Sequence, residues 1–182
     1  GDWSSDVCSS DLADPVGTHD VNVTGTMNVL AAARASGVKR VVFASSAAVY
    51  GDDPVLPKRE GLPPTPISPY GAHKFIGEIY CNAFWKTYGL ETVALRYFNV
   101  FGPRQDPGSQ YSGVFAKFIP IVLRKQRPTI FGDGEQSRDF VYVSNVVDAN
   151  IRACAAAGAA GEAFNIGTGT SVTVNAILGE IQ

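Results

Sequence analysis

Two short β-branched runs, Val38–Ala44 and Thr92–Tyr97, flank one long helical segment. The segment opens at Ser68-Pro69 and stops at Gly89. Ser68 can cap the first turn with its hydroxyl, and Pro69 suits the first helical position because its missing N–H costs nothing there. Unbroken apolar runs of this length mark strands covered on both faces, as in parallel sheets. The pattern predicts a strand–helix–strand unit with a right-handed crossover. Inside the helix, Phe75, Ile76, Ile79, Tyr80, Ala83 and Phe84 recur at spacings of three and four, predicting a core-facing stripe.

The first strand runs into Ser45-Ser46, at the end where open α/β sheets bind ligands. In the helix, Tyr70 and Lys74 are four residues apart and share a face. A free tyrosine, with pKa ~10, is a poor base near neutrality. A cation held beside it favours the phenolate, which makes a Tyr/Lys pair a plausible acid/base device. Y-x-x-x-K alone is common by chance and would then be a surface Tyr and Lys. With a strand-end serine able to hydrogen-bond the same substrate hydroxyl, the three residues become a candidate catalytic group.

Other segments extend the pattern. From Pro15 a helix is expected, with Thr18-His19-Asp20 offering caps, a stripe of Val21, Thr24, Met27 and Leu30-Ala31, and Gly37 past its end. Asn22-Val23-Thr24-Gly25-Thr26 lies within it. Gly51 to Pro69 is Pro- and Gly-rich and reads as loop. The second strand continues into Arg96-Tyr97-Phe98-Asn99-Val100-Phe101-Gly102-Pro103. Arg104 to Gly113 reads as a polar loop, Val114 to Arg124 as a helix interrupted by Pro120, Pro128 to Gly134 as strand then turn, and Arg138 to Val143 as a strand. Ser144 caps an Ala-rich helix to Ala157, Ala163 to Ile166 returns to the main sheet, Gly167-Thr168-Gly169 is a tight turn, and a last helix starts near Val174.

The strand-end Ser, the Y-x-x-x-K helix, N-V-x-G-T and R-Y-F-N-x-x-G-P together resemble the extended short-chain dehydrogenase/reductase family, and within it the NAD-dependent nucleotide-sugar epimerases and dehydratases. The resemblance runs from about Ala13 to the C-terminus. It implies an α/β fold, part of a Rossmann-like doubly wound parallel sheet, with a small α+β substrate lobe. Residues 13–103 would belong to the NAD-binding domain, 104–145 to the lobe, and 146–182 to a helix and strand returning to the sheet followed by a further lobe element.

The resemblance also implies roles. Ser46, Tyr70 and Lys74 would be catalytic. Asn22, Ala44, Ser45, Tyr70, Lys74, Tyr97 and Phe98 would line NAD, with Lys74 on the nicotinamide ribose. Ser46, Asn99, Val114, Phe118, Thr129, Phe131 and Arg138 would bind a UDP-sugar. Arg suits a diphosphate because its planar fork can bond two oxygens, and an aromatic such as Phe131 can stack on a base. As plain structure, Arg138 could pair with an acid such as Asp139, Phe131 could be core, and Asn99 could cap a strand end. The implied reaction is 4-epimerisation by transient oxidation and re-reduction at sugar C4. Dehydratase relatives carry an acid before V-Y-G; this chain has Ala47 and Ala48, which cannot transfer protons. A reductase would use the same Ser/Tyr/Lys set, and an inert binding module is the remaining alternative. Homodimerisation is expected through the helices near 20–36 and 70–88.

Composition excludes other classes. A net charge of −2 offers no basic patch for nucleic acid. No run of ~18 apolar residues occurs, so no membrane span is expected. Cys8, Cys81 and Cys154 are scattered, which argues against disulfides or zinc and fits a reducing cytoplasm. His19 and His73 are too few and isolated for a metal site. Residues 1–12, GDWSSDVCSSDL, have no helical period and no signal-peptide layout, and resemble translated sequencing-adapter DNA; they are expected to lie outside the fold. No glycine-rich G-x-x-G-x-x-G turn follows a first strand. The chain is therefore expected to be a fragment lacking roughly two βαβ units of ~30 residues each, and to bind NAD weakly or not at all.

Overall fold

The computed structural model describes residues 9–109 and 113–182. Most of the N-terminal tail and residues 110–112 of the 104–113 loop lie outside the described residues. In chain order the elements are α1 (Ser9–Ala13), α2 (Pro15–His19), a π-helical turn (Asp20–Thr24), α3 (Gly25–Ala35), β1 (Arg40–Ser46), a 3₁₀ turn (Ala47–Tyr50), α4 (Pro69–Tyr88) and β2 (Glu91–Tyr97). Then follow β3 (Asn99–Phe101), α5 (Val114–Leu123), β4 (Ser137–Arg138), β5 (Phe140–Tyr142), α6 (Val143–Ala155), β6 (Ala163–Ile166), β7 (Val172–Thr173) and α7 (Val174–Ile181). No helix among the described residues is long and apolar enough to cross a membrane.

The central sheet is parallel, in the order β1-β2-β6, and β6 returns to it as the sequence predicts. Its register sets Ser45 beside Arg96 and Ser46 beside Tyr97, at the C-terminal end of both strands. Alternation along the strands gives each face its own cover. Val41 and Phe43 pack with Leu30, Ala33, Cys81 and Phe84 beneath α3 and α4. Val42, Val93, Leu95 and Tyr97 pack with Ala149 and Ala153 of α6. Helices on both faces of a parallel sheet make the doubly wound architecture. Two small sheets, parallel β3-β5 and antiparallel β4-β7, carry the remainder with α5 and α7.

Several expectations shift, each for a local reason. The strand predicted from Val38 starts at Arg40 because the Val38 N–H is spent on Ala33 O; with Gly37 N on Arg34 O and Gly37 at φ +68°, this closes α3 in a Schellman motif. The first helix is capped by Asp14, which accepts from Gly17 N at 2.9 Å, rather than by residues 18–20. The π turn adds a residue, seen in Gly25 N–H bonding Asp20 O, and rotates the stripe: Val23, Leu30 and Ala33 are buried, whereas Val21 is 73% exposed. On α4 the buried face is Gly71, His73, Gly77, Glu78, Cys81 and Phe84, and Ile79 is 52% exposed. Two glycines and a paired carboxylate define that face, and hydrophobic periodicity weighs neither.

Residues 128–130 join no ladder: Pro128 has no N–H to offer one. The turn after them is tied by side chains, Gln136 Nε2 to Phe131 O and Asn175 Nδ2 to Asp133 O. The strand expected over 138–143 breaks at Asp139 into β4 and β5, which pair with different partners. The helix expected from Ser144 begins at Val143, which Gly102 admits by having no Cβ. The described part of the first twelve residues is not outside the fold: Ser9–Ala13 is helical and Asp11 is buried.

Candidate active site

α4 lies against the end of β1 because its glycines let it. A Cβ on Gly77 would stand 2.3 Å from the Phe43 ring, and one on Gly71 would stand 2.6 Å from Ala48 O. The first turn of α4, which carries Tyr70, thus touches the 3₁₀ turn that Ser46 opens. Ser46 Oγ accepts from Ala48 N at 3.2 Å, and Ser68 Oγ caps α4 by accepting from Gly71 N at 3.1 Å. One turn on, Lys74 Nζ donates to Ala44 O at 3.0 Å and stands 5.5 Å from the centroid of the Tyr70 ring. The sheet end therefore gathers Ala44, Ser46, Tyr70 and Lys74.

Asn22 reaches the same helix from the π turn. Its Nδ2 lies 3.5 Å from His73 Nδ1, and Thr26 Oγ1 donates to its carbonyl at 2.6 Å. An amide nitrogen only donates, so His73 Nδ1 is the accepting nitrogen. His73 is buried, with the His19 ring edge-on at 5.4 Å. Burial is the main cause that lowers its pKa; Asp11 pulls the other way, and His19 adds to the lowering.

Beneath this surface is a polar network with no counterpart in the sequence reading. Glu78 accepts from Ser45 Oγ at 2.5 Å and from Arg96 through Nε at 2.9 Å and Nη2 at 2.7 Å. Arg96 Nη1 donates to Tyr50 OH at 2.8 Å, and Tyr50 OH donates to Asn165 Oδ1 at 2.8 Å. Burial alone would lower the Arg96 pKa, and the bonds and charges of Glu78 and Tyr50 together outweigh it and raise the pKa. Glu78 continues the i, i+4 series of Tyr70 and Lys74, the one signal that could have found it.

The remaining candidates are spread over the lobe and the strand ends. The Ser45 side chain is turned to Glu78 and buried, so only its backbone faces the strand end. Tyr97 packs on α6 with its hydroxyl on Asn150 Oδ1 at 2.9 Å. Phe98 lies against Gly167, where a Cβ would stand 3.0 Å from its ring. Asn99 Nδ2 donates to Asp139 O at 3.1 Å. The Asp139 carboxylate in turn accepts from Thr168 N, Thr168 Oγ1 and Gly169 N, clamping the turn after β6 to the break between β4 and β5. Arg138 is half-buried, with Nη1 on Ser137 O at 2.9 Å. Val114 is half-buried at the start of α5, Phe118 is buried, Thr129 is exposed, and Phe131 is 76% exposed.

Comparison with known proteins matches residues 6–167 to the model of the NAD dependent epimerase/dehydratase family. The chain belongs to that family. The match starts at Asp6, seven residues before Ala13. The UDP-glucose 4-epimerase of Mycolicibacterium smegmatis is 44% identical over 161 residues, covering 88% of this chain and 51% of that protein. The structure of UDP-N-acetylglucosamine 4-epimerase from Methanobrevibacter ruminantium, with UDP-N-acetylmuramic acid, superposes with a TM-score of 0.90 at 41% identity, over 94% of this chain and 55% of that one. The structure of Thermotoga maritima UDP-glucose 4-epimerase with UDP-glucose also gives 0.90, at 40% identity over 96% and 56%. The chain spans about half the length of the relatives it matches.

Proposed function

We propose that this site belongs to a nucleotide-sugar 4-epimerase acting on a UDP-hexose with NAD. The observation that carries the reading is the juxtaposition of Tyr70 and Lys74, on the first two turns of α4, with Ser46 at the end of β1. The donor set fits the cofactor: the Lys74 ammonium, the Tyr70 phenol and the Asn22 amide suit the hydroxyls of a nicotinamide ribose. NAD, when bound, would supply the hydride acceptor and donor for sugar C4. Tyr70 takes the proton from the sugar 4-hydroxyl and returns it. Ser46 hydrogen-bonds the same oxygen and orients it. Lys74, fixed by Ala44 O, keeps a positive charge beside the phenol. Arg138 and Asn99 hold the diphosphate, and exposed Phe131 stacks on the base. The exposed apolar residues Val21, Val29, Ile79 and Tyr88 on the outer faces of the π turn, α3 and α4 suit a homodimer contact.

Epimerisation is favoured over dehydration because Ala47 and Ala48, opening the 3₁₀ turn after Ser46, are methyls unable to move a proton. The test, made in the completed enzyme because this chain is expected to bind NAD weakly or not at all, is conversion of UDP-glucose to UDP-galactose in the presence of NAD+, with Tyr70→Phe as control. The substitution should lower turnover by about 10²–10⁴-fold. Undiminished turnover would remove Tyr70 from the mechanism, and stoichiometric NADPH consumption would make the protein a reductase.

A further inference from the structure

We infer that Glu78 is a positioning residue for the catalytic group, holding the end of β1 against α4 through Ser45 and Arg96. The inference rests on reading Ser46, Tyr70 and Lys74 as that group. Ser45 and Arg96 are register neighbours on adjacent parallel strands, and both turn to the α4 face. One carboxylate receives both. All three are almost out of solvent, at 2%, 8% and 5% exposure for Ser45, Glu78 and Arg96.

Each member adjoins a residue of the site. Ser45 precedes Ser46, Arg96 precedes Tyr97, and Glu78 is one turn from Lys74. Tyr50, on Arg96 Nη1, ends the 3₁₀ turn that Ser46 begins. Two bonds thereby stitch α4 to consecutive residues of β1, Lys74 Nζ to Ala44 O and Glu78 Oε1 to Ser45 Oγ. Together they fix how far along the strand the helix sits. That distance decides whether Tyr70, one turn ahead of Lys74, meets the same substrate oxygen as Ser46. The charge pair is also internally neutral, and Lys74 Nζ stands 5.5 Å from the centroid of the Tyr70 ring as a cation beside the phenol.

Ser45→Ala tests this with the charge pair left intact. Amide hydrogen exchange at Ala48, whose N–H is held by Ser46 Oγ, reports the order of the strand end. Exchange at Val93, in mid-sheet, reports general opening. The expected result is Ala48 exchange faster by about fivefold to tenfold, the worth of one hydrogen bond, with Val93 unchanged. In the completed enzyme, assayed with UDP-glucose and NAD+, kcat should fall while KM holds. Glu78→Gln, where it folds, should do the same more strongly. Equal acceleration at Ala48 and Val93, or none at either, would overturn the inference and reduce Glu78 to ordinary packing. The exchange readout needs no substrate, so it stands whether or not the chain proves to be an epimerase.

Discussion

The Arg96 guanidinium grips the Glu78 carboxylate with two parallel bonds, Nε to Oε1 at 2.9 Å and Nη2 to Oε2 at 2.7 Å. Both side chains are buried, so each charge offsets the cost of taking the other out of water. Breaking such a pair from one side leaves a buried charge without compensation and costs about 3–5 kcal/mol, whereas replacing both ions by apolar groups of similar volume costs far less. Arg96→Met should therefore lower unfolding stability by about that amount. Glu78→Leu combined with Arg96→Met should recover part of the loss, even though Ser45 and Tyr50 lose a partner. Urea unfolding measures both, and a double variant no more stable than Arg96→Met would mean that the pair is not buried as described.

His73 makes folding sensitive to mild acid. Burial first, with His19 adding to it and Asp11 opposing, holds its pKa below the ordinary 6.5. The unfolded chain therefore binds the proton more readily than the folded one, and stability rises with pH wherever that difference exists. The contribution is present above about pH 6.5 and is lost as pH falls through the depressed folded value. Protonation at Nδ1 would also remove the acceptor that Asn22 Nδ2 uses. The melting temperature should drop between pH 7.5 and 5.5, and His73→Gln should flatten that drop. A His73 ring signal titrating at or above 6.5 in the folded chain would contradict it.

How much of this was legible in the sequence depended on how each residue earns its place. Ser46, Tyr70 and Lys74 could be read because a strand end and an i, i+4 spacing are local facts, and the structure does bring them to one sheet end. The sheet followed for the same reason: β-branched runs and a Ser-Pro helix start are written in consecutive residues. Which face of α4 is buried could not be read that way. Gly71 and Gly77 face inward because they lack a side chain, and Glu78 does so because Arg96, 18 residues on, neutralises it. A hydropathy stripe scores all three as outward. The phase of α2–α3 was hidden likewise, because a single π turn rotates everything after it. Asp139 looked like a partner for Arg138, yet its carboxylate serves backbone N–H groups about 30 residues away, a pairing that no local pattern announces.

Cys81 should be chemically silent in the folded protein. It lies on the buried face of α4, packed with Leu30 and Ala33 of α3, and burial, with the nearby Glu78 charge, pushes its pKa up to about 12. The thiolate is the nucleophile, so at pH 8 only about one Cys81 in ten thousand is reactive. Cys154, on α6, is exposed. Iodoacetamide followed by peptide mapping should label Cys154 at once and Cys81 only in denaturant. Comparable labelling rates would show that the core beneath α3 and α4 opens far more readily than its packing implies.

At Gly71 the helix bearing Tyr70 passes close to Ala48, two residues after Ser46. A methyl group there would meet Ala48 O at 2.6 Å and Pro66 Cβ at 3.1 Å. The carbonyl is backbone and the proline ring is stiff, so neither can swing aside as a long side chain would. Relief has to come from α4 lifting its first turn, which weakens the Ser68 cap on Gly71 N and carries Tyr70 away from Ser46. Overpacking of this kind costs about 1–3 kcal/mol, and misplacing a catalytic group by about 1 Å can cost about 10²-fold in rate. If Tyr70 is the proton-transfer group proposed above, Gly71→Ala should therefore lose far more turnover than stability, with epimerase kcat in the completed enzyme falling about 10²-fold while the chain still unfolds cooperatively. Gly77→Ala supplies the contrast. Its clash is with the Phe43 ring, two turns of α4 from Tyr70, so it should lower the unfolding midpoint and leave most of kcat intact. If both substitutions cost activity only in proportion to stability, the close approach at Gly71 serves packing alone and the placement of Tyr70 does not depend on it.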